Sequence, residues 1–112
     1  MNRSEIWSVN LDPTIGAEIR KTRPAIIVSD DGVGLLPLRI IVPLTDWKPH
    51  YGVAPWMVKL EPNTENNLSK PSSADCFQVR SVSQIRLVKK IGIVSSELMV
   101  AIELALRTVL KI

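Results

Sequence analysis

The sequence predicts an α+β, mostly-β domain, built as a strongly bent antiparallel sheet or small barrel with one C-terminal helix. Three observations carry this. Short runs rich in β-branched and apolar residues alternate with turn clusters along most of the chain. Eight prolines and five glycines interrupt it too often for long helices. A helical apolar pattern occurs only at the C-terminus, so the crossover helices of a parallel sheet are missing. At 112 residues one domain over 1–112 is expected, large enough to bury a single core without disulfides.

Ile6 to Leu11 reads as a first strand, ended by Asp12-Pro13. The loop that follows, Thr14 to Thr22, is charged and contains Gly16, which permits a backbone turn that residues with side chains resist. Ala25 to Ser29 is a second strand, almost wholly apolar and so buried on both faces, and Asp30 to Gly34 is a turn cluster. Leu38 to Leu44 is a third strand broken by Pro43 and closed by Thr45-Asp46. A Pro/Gly-punctuated loop over 46–55 carries Trp47, Lys48, His50 and Tyr51 before Trp56 to Leu60 resumes a strand, with Trp56 read as core. The Asn-rich segment 61–70 reads as loop, Ala74 to Val79 as strand, 81–87 as a turn or helical half-turn and Ile91 to Val94 as a final strand. A helix follows over 97–111, with Ser95 or Ser96 as N-cap and Glu97 at the positive end of its dipole. Its apolar surface is wider than one sheet face requires, which suggests a subunit contact as well.

Composition narrows the chemistry. With 46% hydrophobic and 22% charged residues the chain is globular, and its net charge of +3 suits a polyanionic partner. One histidine and one cysteine cannot make a structural zinc site, and neither a phosphate-cradling glycine loop nor a GxSxG elbow is present. No metal or other cofactor is therefore expected. Lone Cys76 favours a reducing compartment, and no apolar run approaches the roughly 20 residues needed to span a bilayer, so a cytoplasmic protein is expected.

Candidate functional residues lie in three places. Arg20, Lys21 and Arg23 sit with Glu18 ahead of the second strand, and Pro24 fixes the chain just after Arg23, which places its guanidinium at the lip of a rigid element. Trp47, Lys48 and His50 occupy the loop after Thr45, where an aromatic ring in a polar segment can stack an unpaired base. Gln78 and Arg80 are two apart, hence on one face of a strand, as groove-facing contacts or as a structural network tying sheet to loops.

Three ordered stretches resemble the MazF/PemK (Kid) family of toxin endoribonucleases. They are EIWSVNLDPTIGAEIRKTRPAIIVS near the start, VPLT at Val42 to Thr45, and QVRSVSQIRLVKKIG from Gln78. Departures are Ser4, where the family often has Gly, and Cys76-Phe77, where some relatives carry charged residues before the Gln. The resemblance implies an SH3-like barrel with a C-terminal helix, a homodimer, and a metal-independent endoribonuclease cutting single-stranded RNA to a 2′,3′-cyclic phosphate and a 5′-hydroxyl. It implies catalytic roles for Arg23, Thr45 and Glu18 and restraint by a cognate MazE-like antitoxin; Arg20, Lys21, Trp47, Lys48, His50, Gln78 and Arg80 are the accompanying candidates for binding RNA. A CcdB-like gyrase-poisoning toxin and an inactive antitoxin-binding relative are the rival readings.

Overall fold

In the computed structural model, which describes residues 1–112, seven strands precede one helix. They are β1 (Glu5–Asn10), β2 (Thr22–Ile27), β3 (Leu38–Asp46), β4 (Met57–Leu60), β5 (Ser72–Asp75), β6 (Arg80–Ser83), β7 (Leu87–Ile93) and α1 (Ser96–Leu110). Every pairing is antiparallel, in the order β4-β5-β3-β2-β1-β7, with β6 also on β3. The sheet does not close: β4 and β7 are its two ends, so the bent open sheet is adopted rather than the barrel.

Two apolar clusters occupy opposite faces. On one, Ile6, Ile26, Val28, Val42 and Leu44 pack against Met99, Ile102 and Ala105 of α1. The spacing of those three residues is that of one helical stripe. Ser95 caps the helix, its hydroxyl accepting from the Leu98 N–H at 3.2 Å. Val100, Leu104 and Leu110 remain more than half exposed, the surplus apolar surface that the sequence indicates. On the other face Val9, Leu11, Ala25, Ile27, Ile41, Val82 and Leu87 form the second cluster, with Trp7 and Ile19 packed on it and no helix over it.

Several boundaries differ from the expected ones. β2 begins at Thr22, so Arg23 and Pro24 lie inside the strand rather than ahead of it. β3 runs through Pro43 to Asp46. Pro43 has no N–H to donate, and it falls where no donor is needed: β6 pairs β3 as far as Ile41 and β5 begins at Leu44. Ala74 to Val79 is not one strand, because a 3-10 turn at Cys76–Gln78 separates β5 from β6. Asp75 caps that turn by accepting from the Phe77 N–H at 3.2 Å. Trp56 is surface rather than core, 38% exposed and edge-on to Phe77 at 6.1 Å. The final strand is longer than its apolar core, since Leu87 to Lys90 also pair with β1.

The Asn-rich segment before β5 is a fixed loop. The Asn66 amide accepts from Asn63 N and Leu68 N and donates to the Glu61 carbonyl, and Ile93 N donates to Glu65 O at 3.0 Å. A Cβ at Gly92 would come within 2.5 Å of that same Glu65 oxygen, so only glycine lets β7 and the loop approach this closely.

Candidate nucleic-acid interface

Pro24 shapes the centre of the uncovered face. Pairing between β2 and β3 stops at Ala25↔Pro43, because Pro24 lacks the N–H that the next rung would need. Continuing that register by two residues sets Arg23 opposite Thr45, both on the face away from α1. Beyond the last rung a small hollow of about 90 Å³ opens, lined by Arg23, Pro24, Thr45, Asp46, Lys70 and Ser72 among others.

Arg23 is half-buried, forms no ion pair, and makes one long hydrogen bond, Nε to the Arg20 carbonyl at 3.4 Å. A guanidinium held this way has donors left for an anion. The Thr45 hydroxyl forms no hydrogen bond within the chain, so it is free to donate to a ligand oxygen. Lys70, absent from the sequence candidates, reaches the rim, where its Nζ lies 2.9 Å from Asp46 Oδ1. The Lys70-Pro71 dipeptide repeats the cation-before-proline pattern of Arg23-Pro24, and that signal could have found it.

Glu18 is not in this hollow. It lines a second one of about 520 Å³ with Phe77, Gln78, Arg80 and Pro43, the residue two before Thr45 on the same strand. Exposed on the loop between β1 and β2, Glu18 accepts from the Ile15 N–H at 2.6 Å, closing a turn of its own loop. To act at the Arg23 hollow it must break that bond.

Gln78 and Arg80 do converge, though not from one strand: Gln78 ends the 3-10 turn and Arg80 opens β6. The structural-network alternative describes both. Gln78 Oε1 accepts from Ile19 N at 2.6 Å while its amide donates to Asp75 Oδ2 at 3.1 Å and to the Ala17 carbonyl at 3.4 Å. Arg80 donates to the Leu11 carbonyl at 3.2 Å. Together they clamp the β1–β2 loop to the sheet. Burial raises the Asp75 carboxyl, against hydrogen bonds from Phe77 and Gln78 that lower it. Burial, with the Asp75 charge beside it, pushes the Cys76 thiol up to about 12, so it stays protonated and is no nucleophile.

Trp47, Lys48 and His50 lie where the chain leaves β3, His50 within a 3-10 turn at Pro49–Val53. Trp47 meets Tyr51 edge-on at 6.0 Å, Tyr51 meets His50 at 4.7 Å, and the Lys59 ammonium lies 5.0 Å from the Trp47 ring centroid. This aromatic cluster begins two residues past Thr45. Arg20 and Lys21, just ahead of Arg23 in the chain, are exposed and form no ion pairs, which leaves their charge for a polyanion. Phe77, 66% exposed on the rim of the larger hollow, was not singled out by the sequence because it falls in what reads as a strand.

Comparison with known proteins gives a consistent result. A family model described as a PemK-like, MazF-like toxin of type II toxin-antitoxin systems matches residues 2–110. The chain is 34% identical over 113 residues to endoribonuclease MazF9 of Mycobacterium tuberculosis, covering 96% of this chain and 93% of that one. It is 46% identical over 46 residues to endoribonuclease PemK of Escherichia coli, 40% of this chain and 35% of that one. Among solved structures it superposes on MazF from Deinococcus radiodurans with a TM-score of 0.83 at 19% identity, covering 100% of this chain and 97% of that one. A mycobacterial endoribonuclease in complex with its cognate antitoxin gives a TM-score of 0.78 at 19% identity, over 100% and 96% of the two chains.

Proposed function

The chain belongs to the PemK-like, MazF-like family of type II toxins, and from that premise we propose that it is the toxin of a toxin-antitoxin pair, an endoribonuclease cutting single-stranded RNA. The observation that carries the mechanism is the placement of Arg23, free of any carboxylate, beside Thr45 at one hollow. Arg23 presents its planar fork to two oxygens of the scissile phosphate, and Thr45 Oγ1 donates to the same group. The 2′-oxygen attacks phosphorus as the bond to the 5′-oxygen breaks, giving a 2′,3′-cyclic phosphate and a 5′-hydroxyl. Glu18 takes the 2′-hydroxyl proton once bound RNA draws it from the Ile15 N–H. Arg23 stabilises the growing charge as a cation, since its pKa lies far above neutrality. The leaving oxygen takes its proton from solvent, and every other role falls to a side chain.

The larger hollow accepts a base neighbouring the scissile phosphate, and Arg20, Lys21, Trp47, Lys48 and His50 flank the RNA path on either side. An antitoxin with an acidic segment competes for Arg23. A second copy of the chain covers the apolar residues that α1 leaves exposed, giving a homodimer. No helix is long and apolar enough to cross a membrane, and lone buried Cys76 suits a reducing cytoplasm. The gyrase-poisoning and inactive alternatives are not favoured, because neither needs an unpaired arginine facing a free hydroxyl.

Cleavage of a long mixed-sequence RNA in EDTA, wild type beside Arg23→Ala, tests the reading. Cutting is expected only with the wild type, with loss of about a hundredfold or more in the variant. No wild-type cutting, or cutting indifferent to the substitution, would overturn it.

A further inference from the structure

Building on the ribonuclease reading, we propose that Lys70 is a second phosphate-holding cation of the site, which releases Asp46 and binds a backbone phosphate of the RNA when substrate arrives. Lys70 lines the same hollow as Arg23 and Thr45, from the loop before β5. Its backbone is fixed: Ser72 Oγ donates to the Lys70 carbonyl at 3.1 Å, Trp47 N donates to the Pro71 carbonyl at 3.2 Å, and Pro71 narrows the conformations open to Lys70 itself. A cation mounted on an anchored segment is aimed, where one on a free loop is not.

Its present partner is weak. The Lys70 and Asp46 side chains are 62% and 53% exposed, and ion pairs so wet contribute little, so exchange for a stronger anion is easy. Asp46 directly follows Thr45, so an arriving phosphate repels the Asp46 carboxylate from the position where it holds the lysine. The charged groups facing the hollow are Arg23, Lys70 and Asp46 alone, two cations and one anion. A phosphate at Arg23 and Thr45 therefore meets Lys70 as the next donor, a point charge beside the guanidinium fork.

A rival role is that Lys70 only holds Asp46 away from Arg23. The two separate in a double-mutant cycle of Lys70→Gln and Asp46→Asn. The substrate is a short single-stranded RNA containing the mapped cleavage site, with the same oligonucleotide carrying one 2′-deoxy sugar there as an uncleavable binding probe. Lys70→Gln should lose five- to thirtyfold in kcat/KM, most of it in KM, and flatten the dependence of log affinity on log salt by about 0.7. Lys70→Arg should recover to within about threefold, and Asp46→Asn should bind two- to threefold more tightly. In the Asp46→Asn background the Lys70→Gln loss should persist. Disappearance of the loss in that background, an unchanged salt slope, or Lys70→Gln binding and cutting like wild type would each overturn the proposal while leaving the ribonuclease reading intact. A wild type that neither binds nor cuts would overturn both.

Discussion

Replacing Gln78 by leucine tests whether the clamp on the β1–β2 loop is what readies the site. The substitution keeps the volume and removes all three Gln78 hydrogen bonds, to Ile19 N, Asp75 Oδ2 and the Ala17 carbonyl. A part-buried N–H left without an acceptor costs about 1–3 kcal/mol, and a bond to a carboxylate is worth about 1.5–3 kcal/mol. The loop can undock and let water serve Ile19, so global unfolding registers only part of that sum, about 1–2 kcal/mol or roughly 4–8 °C in Tm. The local signature is larger: exchange of the Ile19 amide should speed up about thirtyfold, and kcat/KM should fall about tenfold because Glu18 rides on the freed loop. Asp75 also responds. Burial already raises its carboxyl, and losing the Gln78 N–H raises it further. For a raised acid the stabilising contribution is complete below the unfolded value and is lost as pH climbs through the folded one, so the variant should lose more stability at pH 7 than near pH 3. Gln78→Glu sharpens this contrast, since it sets two carboxyls side by side at pH 7 that can share a proton in acid. Unchanged Ile19 exchange in a folded Gln78→Leu protein would refute the clamp.

Two further predictions concern stability. Burial would raise the Glu5 carboxyl, but bonds from the Trp7 indole, the Asn2 N–H and Lys90 outweigh it and hold it at about 2 instead of 4.5. That depressed pKa stabilises above pH 4.5 and is lost as pH falls toward 2, so urea titrations of Glu5→Gln should show a loss of about 1–2 kcal/mol at pH 7 that vanishes near pH 2. Gly92→Ala places a Cβ 2.5 Å from the Glu65 carbonyl and should cost about 2–3 kcal/mol; an unchanged urea midpoint would show that the loop yields.

Where the sequence led and where it misled can be traced to particular residues. Short apolar, β-branched runs bounded by turn clusters gave β1 to β3 and the helical stripe gave α1, since these patterns depend only on which faces are buried. Ala74 to Val79 misled because Asp75 and Gln78 interrupt apolar residues as in a strand, while Asp75 is in fact a turn cap and Gln78 a clamp. Both jobs depend on partners 2 and 59 residues away, and only the nearer is visible locally. Trp56 read as core by residue type alone, whereas its exposure follows from its place at the entry to an end strand. The prolines misled most and taught most. Pro43 read as a break and Pro24 as a rigid mount ahead of the second strand, yet both stand inside strands: Pro24 denies the next β2–β3 rung its donor, and Pro43 falls where none is needed. Pro24 ends the β2–β3 pairing at Ala25↔Pro43, two residues before Arg23 and Thr45. Two side chains that a continuous ladder would hold side by side on a packed sheet instead face an opening. The same chemical deficiency that makes proline a poor strand residue thus places a free guanidinium and a free hydroxyl at the edge of a hollow. Pro43→Val alone should change little, because Pro24 still denies the next rung its donor.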